Sequence, residues 1–328
     1  MILEVRFLIL FFLVFSCSSN KQIESSDNKV YNIQGYTQGT TYNIKYIFYK
    51  EKIKKNEIDS LLSIIDYSMS SYIESSNLSL INNNQTVQID SLLQKVLNRS
   101  LDLCFQTEGA FDVTVAPLVN AYGFGVNDDI KNINDNFFPN VGCDKFYVQD
   151  GEIVKNKNIQ IDVNGIAQGF SVDFIANYFN EQGVFDYMIE IGGEVFCSGM
   201  KQGKKWVLGI SDPLNHPSDF VFRVALKDKA LATSGSTRKI NNIGDSLYTH
   251  IISSHSLSPI KNNLLSVSVI ASNCIDADAY ATAFMAMGLD ESKIFLKSNM
   301  LDIEALFIFQ DTILGKIADF KTTGFNVL

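Results

Sequence analysis

The stretch that most constrains this chain is Cys274-Ile-Asp-Ala-Asp-Ala-Tyr-Ala-Thr-Ala-Phe-Met-Ala-Met-Gly288. It predicts a helix that is small and apolar apart from Asp276, Asp278 and Thr282. An acid in a first turn complements the positive end of the helix dipole, so Asp276 or Asp278 serves to start the helix. Spacing supplies a second reading. Residues four apart share a helix face, so Asp278 and Thr282 offer a carboxylate and a hydroxyl to one point in space. Two hard oxygens so placed suit Mg²⁺, which takes oxygen ligands at about 2.1 Å and completes its shell with waters and phosphate oxygens. Capping and metal binding both stay open on this pattern alone.

Two other glycine-punctuated stretches carry chemistry. Ile161-Asp-Val-Asn-Gly-Ile-Ala-Gln-Gly-Phe-Ser-Val-Asp173 passes from extended chain to helix through Gly165 and Gly169. Such an entrance lets backbone approach a phosphate or an ion, though glycines opening a helix are common. Glu108 to Gly125 contains a glycine-limited loop that presents Phe111, Asp112 and Thr114. A loop packed by its own aromatics fits it equally well.

The remaining periodicity describes a scaffold. Thr41–Tyr49 alternates as a half-buried strand after the Gly39 turn. Ile53–Met69 and a stretch from Asp90 to Gly109 carry apolar residues at helical spacing, the second placing Cys104 on its stripe. Strands are expected at 187–191, 206–210, 220–226 and 265–271, alternating with helices at 165–179 and 278–287. No repeat or long linker divides the chain, so residues 30–328 read as a single intertwined α+β domain of mixed or antiparallel sheet with packed helices.

At 328 residues and 46% hydrophobic content the chain can bury a large core. Its net charge of −9 argues against an electrostatic nucleic-acid binder, which needs clustered Lys and Arg. At the N-terminus, Arg6 precedes an apolar run from Phe7 to Phe15, the length of a signal-peptide core and too short to span a bilayer. Leu13-Val14-Phe15-Ser16-Cys17 resembles a bacterial lipoprotein box; the alternative is an ordinary signal peptide that happens to be followed by cysteine. Residues 1–16 are therefore expected to be a signal, Cys17 the lipidated residue, and 17–29 a polar tether. The protein would sit exported, on the extracytoplasmic (periplasmic) face of a bacterial membrane. Cys104, Cys143, Cys197 and Cys274 form no CxxC pair, and buried free thiols are the expectation.

Taken in order, these stretches resemble the ApbE family of FAD:protein FMN transferases. The resemblance runs from Gln38-Gly-Thr-Thr-Tyr42 through Ser71-Tyr72, Ser79-Leu-Ile-Asn82, Gly109-Ala-Phe-Asp112 and Pro117-Leu118. It continues through Asp162–Gly169, Glu190-Ile-Gly-Gly-Glu194, Ala232-Thr-Ser-Gly235 and His250-Ile-Ile252 to Ala279–Gly288. It implies a T-fold-like architecture and a flavin transferase that attaches FMN from FAD to a Thr or Ser hydroxyl of a target protein, with Mg²⁺ and release of AMP. By matching position, Asp278 and Thr282 would be metal ligands, joined by the carbonyl of Gly165 or of Ala167. Gln38, Ser70, Ser71, Tyr72, Ala110, Phe111, Asp112, Asp162, Gln168 and Ile251 would line the flavin site, and His250 would be the general base. The implied targets are exported electron-transfer subunits of the Rnf and Nqr type.

Three features depart from the family pattern. Gln168 stands where Lys is common, which keeps a hydrogen bond and loses a charge. Ser253-Ser-His-Ser-Leu-Ser-Pro259 replaces the usual Asp-Pro-Arg-Thr-Gly after His-Ile-Ile, and Ser236-Thr237-Arg238 follows Thr233-Ser-Gly235 in place of acidic or aromatic neighbours. Two competing functions use the same site: Mg²⁺-dependent hydrolysis of FAD to FMN and AMP, and flavin binding by a lipoprotein without turnover.

Overall fold

Alternating polar and apolar residues build the first two strands, β1 (Lys29–Thr37) and β2 (Thr40–Phe48), into a hairpin. Its turn places both Gln38 and Gly39 in the left-handed region, at φ 51° and 71°. This computed structural model describes residues 28–126, 140–216, 218–237, 240–243 and 246–328. The expected signal segment, Cys17 and nearly all of the tether lie outside them.

Two helices follow the predicted stripes, α1 (Lys55–Met69) and α3 (Ser91–Gln106), with the short α2 (Asn77–Asn82) between them. Asp90 starts α3 by accepting the Leu92 and Leu93 N–H groups. Beyond it come a 3₁₀ turn (Val113–Val115), α4 (Ala116–Ala121), a second 3₁₀ turn (Cys143–Lys145), and the small hairpin β3 (Phe146–Gln149) with β4 (Glu152–Lys155). Helix α5 (Ala167–Glu181) leads into β5 (Tyr187–Ile191) and β6 (Glu194–Ser198). A hairpin of β7 (Trp206–Ser211) and β8 (Phe220–Leu226) precedes β9 (Lys229–Gly235). Two further hairpins are β10 (Ile240–Ile243) with β11 (Ser246–Thr249), and β12 (Ile252–Ser253) with β13 (Ser258–Pro259). The chain closes with β14 (Leu264–Ala271), α6 (Cys274–Met287), α7 (Leu289–Ser298), β15 (Glu304–Asp311) and β16 (Lys316–Lys321).

One sheet in the order β1-β2-β5-β6-β9-β14-β15-β16 forms the middle layer, and every neighbouring pair in it is antiparallel. One face buries Ile44, Ile189, Val267 and Phe307 in a core shared with α1, α3, α5 and α6. The opposite face buries Ile47, Val195, Leu231 and Leu306 beneath Trp206, Leu208 and Val224 of the β7–β8 hairpin and Phe325 of the tail. Coverage on both faces explains why β15 buries Ala305 to Ile308 in succession instead of alternating. Strict antiparallel order also decides where the loops meet. The β1–β2 turn, the Gly192–Gly193 turn, the end of β9 and the start of β14 gather at one end of the sheet.

Two sequence expectations need correction. Helix α6 starts at Cys274, with Asn273 as its cap accepting the Asp276 N–H, so neither Asp276 nor Asp278 is the capping residue. Cys104 and Cys143 are joined in a disulfide, their Cα atoms 5.9 Å apart, where free thiols were expected. Periodicity placed Cys104 correctly on the helix but could not reveal that the second 3₁₀ turn packs beside it. Cys197 and Cys274 are free and buried, as expected.

The cross-link spans a sequence separation of 39 residues. A loop of that length predicts that the Cys104→Ser, Cys143→Ser variant loses about 2–4 kcal/mol of stability, measured by chemical denaturation under non-reducing conditions.

Candidate active site

The site is built on the crossing of α5 and α6. Asp278, one turn inside α6, accepts the backbone N–H of Gly169 in the first turn of α5 at 2.9 Å. Asp173 of α5 accepts the N–H groups of Cys274 and Ile275 that open α6, at 2.8 and 2.9 Å. Each helix thus supplies the acid that satisfies orphan donors of the other. The approach requires glycine: a Cβ on Gly169 would lie 2.4 Å from the Cys274 carbonyl oxygen and 2.8 Å from the Asp278 Cβ. Burial pushes the Asp278 carboxyl up to about 7, the Gly169 N–H opposing this and the charge of Asp173 adding to it. Burial likewise raises Asp173 to about 6 against its two backbone donors.

Above this crossing opens a cavity of ≈ 770 Å³, within the range of small-molecule sites. Asp278 and Thr282 form its floor with Gly165, where an added Cβ would lie 3.2 Å from the Thr282 Oγ1. The Thr282 hydroxyl also lies 3.2 Å from the Ser234 Oγ. Ala110, Phe111 and Asp112 make one wall; His250, Ile251 and Ile252 make another. Asp112 is buried, its carboxylate accepting the N–H and hydroxyl of Thr114 at 2.8 and 2.6 Å. That burial raises its pKa, partly offset by the Thr114 hydrogen bonds. His250 follows β11 and packs edge-on against Phe124, ring centroids 6.2 Å apart. Gln168 lies across the Gly192–Gly193 turn, where a Cβ on Gly192 would meet its Oε1 at 2.9 Å.

Asp112, Asp162, Glu190, Glu194 and Asp278 all face the cavity, and among the described residues no Lys or Arg does. Burial raises Glu190 as well, opposed by the Gly193 N–H it accepts at 3.0 Å. In their ionised forms these acids disfavour an unaccompanied anion.

The model of the ApbE family matches residues 38–307. A FAD:protein FMN transferase of Vibrio cholerae is 32% identical over 286 residues, covering 83% of this chain and 86% of the relative. The solved flavin transferase ApbE from Vibrio cholerae superposes with a TM-score of 0.80 at 30% identity, over 91% of this chain and 98% of that one. The apo flavinyl transferase ApbE of Pseudomonas stutzeri gives 0.79 at 25% identity, over 90% and 95%. The chain belongs to the ApbE family.

Within this ApbE chain, the residues expected from sequence divide clearly. Tyr72, Ala110, Phe111, Asp112, Asp162, Gly165, Gln168, His250, Ile251, Asp278 and Thr282 all line the one cavity. Gln38, Ser70 and Ser71 do not. Gln38 donates to the Ser171 Oγ at 2.7 Å and ties the β1–β2 turn to α5. Ser70 ends α1, accepts the Tyr72 N–H on its hydroxyl, and takes the Ser76 and Ser79 hydroxyls on its carbonyl. It shapes the loop that carries Tyr72 to the rim. Thr114 serves its neighbours, donating to Asp112 and accepting the Gly142 N–H.

Sequence reasoning missed Asn43, Asn164 and the inner edge of the β7–β8 hairpin, where Val207 to Ser211 and Phe220 line the cavity. The hairpin's alternation reads as an ordinary strand pair and carries no sign of a ligand. Glu190, Glu194, Thr233 and Ser234 lay within the family-like motifs, and their position in the cavity is new.

The Asp278 carboxyl at about 7, against 3.8 for an unstrained aspartate, makes a signed prediction. Between these values the folded state keeps a proton that the unfolded chain releases, so the group's contribution to stability falls as pH rises through that window. In metal-free buffer, Asp278→Asn is expected to gain roughly 1–3 kcal/mol over wild type on going from pH ~4 to ~8, followed by urea denaturation.

Proposed function

We propose that this protein is an FAD:protein FMN transferase that uses Mg²⁺ to move FMN from FAD onto a Thr or Ser hydroxyl of an acceptor protein, releasing AMP. The observation that carries this reading is the cavity floor: a buried carboxylate and a hydroxyl from α6 and a backbone approach from the entrance to α5, in a family whose relatives bear that activity in their names. The donor set suits the metal. Asp278, Thr282 and the Gly165 carbonyl, with the Ala167 carbonyl as the alternative, are hard oxygen donors, and a dication beside Asp278 would favour its ionised form. An FAD diphosphate entering a cavity lined by five carboxylates and no described Lys or Arg also requires that positive charge. With Gln168 in place of a cation, the load on the metal is greater.

The chain's own groups then account for the transfer. Ala110–Asp112, Asp162, Gln168, Ile251 and the rim residue Tyr72 would hold the flavin half and aim its phosphate at the floor. His250, on the wall beside Phe124, would accept the proton as the acceptor hydroxyl oxygen bonds to phosphorus. The phosphoanhydride bond breaks in the same displacement and AMP departs. Bound Mg²⁺ supplies neutralisation of charge on the diphosphate and the leaving AMP.

The acceptors we propose are exported electron-transfer subunits of the Rnf and Nqr type. Incubating the protein with FAD, Mg²⁺ and such an acceptor should give covalent flavin on the acceptor, seen by mass spectrometry, with equimolar AMP. Asp278→Ala and His250→Ala should each slow this by about 10²-fold or more. AMP without flavin on the acceptor would replace transfer with hydrolysis; intact FAD would leave only binding.

Export and anchoring through Cys17 belong to the same proposal, supported by the apolar run Phe7–Phe15 and the polar stretch after it. Among the described residues no helix is long and apolar enough to cross a membrane. Metabolic labelling with a radioactive or alkyne fatty acid should mark the wild type and not Cys17→Ala; equal labelling would refute the anchor.

A further inference from the structure

The wall Ala110–Asp112 leaves α3 through an unfavourable turn. Glu108 and Gly109 both adopt left-handed backbone, φ 52° and 89°, and for Glu108 that conformation costs about 1 kcal/mol. The turn closes on itself through Gly109 N–H to the Cys104 carbonyl at 2.7 Å and Ala110 N–H to the Thr107 carbonyl at 3.0 Å. Its two outward carbonyls are taken by a different part of the chain. The Ser254 hydroxyl donates to the Gly109 carbonyl at 2.5 Å, and the His255 Nε2 lies 2.8 Å from the Glu108 carbonyl. A carbonyl oxygen only accepts, so Nε2 carries the proton.

Both donors sit at the tip of the β12–β13 hairpin, in the segment that departs from the family pattern. That tip is held firmly. Ser256 N–H donates to the Ser253 Oγ, the Ser256 and Ser258 hydroxyls meet at 2.9 Å, and Leu257 is buried against Leu118 and Ile252. Its first strand continues directly from His250 and Ile251 on the opposite wall. The hairpin therefore bridges the two walls of the cavity.

We propose that Ser254 and His255 are positioning residues, a clasp that fixes the Ala110–Asp112 wall against the His250–Ile252 wall for FAD binding. This rests on the reading of the cavity as the FAD site. The clasp acts on the pocket and touches none of the reacting atoms. It should govern affinity for FAD and leave the chemical step alone.

The test compares Ser254→Ala, His255→Leu, the double variant and His255→Gln, which keeps an N–H donor at similar reach. FAD affinity is read by flavin fluorescence quenching and turnover by AMP release. Ser254→Ala and His255→Leu should each weaken FAD binding about 3–10-fold, the range for one lost hydrogen bond, with kcat at saturating FAD within about twofold. His255→Gln should stay within about twofold of wild type in both. Amide hydrogen exchange across residues 108–113 should accelerate in the double variant while that of α6 does not, which separates a loosened wall from general unfolding. Unchanged FAD affinity in the double variant, or His255→Gln as weak as His255→Leu, overturns the clasp alone. Wild type that fails to bind FAD overturns the FAD reading and this inference with it.

Discussion

Two aspartates on crossing helices, each capping the other's first turn, are what the rest of this structure depends on. Asp173 takes the N–H groups that open α6, and Asp278 takes a first-turn N–H of α5. Helix starts leave unpaired donors that are costly to bury, and here each start packs against the other helix. The exchange satisfies them with carboxylates that burial has stripped of water, which is why both acids titrate far above their ordinary range. Gly169 is the steric condition for the crossing, since any side chain there would strike the Cys274 carbonyl.

That arrangement also prepares the chemistry. Asp278 gives one carboxylate oxygen to Gly169 and faces the cavity beside Thr282, so the group that holds the helices together is the group proposed to hold the metal. The surrounding acids sharpen the requirement. Five carboxylates and no described basic side chain line the cavity, which is why the proposed diphosphate substrate is paired with a cation. Around this floor the walls are set by contacts that are remote in sequence. The disulfide and Gly142 hold the 112–114 segment from behind, and the β12–β13 hairpin holds Glu108 and Gly109 from the side.

Much of the scaffold was legible because it follows local rules. The stripes of α1 and α3, the start of α3 at Asp90, the alternation in β2 and the strand-like runs of β5 and β8 each depend on neighbours within a few residues. The start of α6 was misjudged because its acids were read as caps, when Asn273 and the distant Asp173 fill that role. Gln38 and Ser70 were assigned to the flavin by their place in family-like motifs; the structure puts them off the cavity lining, bracing α5 and the Tyr72 loop.

The sequence by itself determined the α+β class, the family and the Asp278–Thr282 pair, because helical spacing and ordered motifs are written along the chain. Tertiary structure alone decided the pairing of Cys104 with Cys143, the absence of Gln38 and Ser70 from the cavity, and the entry of the β7–β8 hairpin into it. It also decided that Asp278 is both a helix cap in trans and a cavity acid. The physical reason is that burial, desolvation and contact distance depend on how separate segments pack, 39 residues apart for Cys104 and Cys143 and 109 for Gly169 and Asp278. No local pattern in either segment records the other.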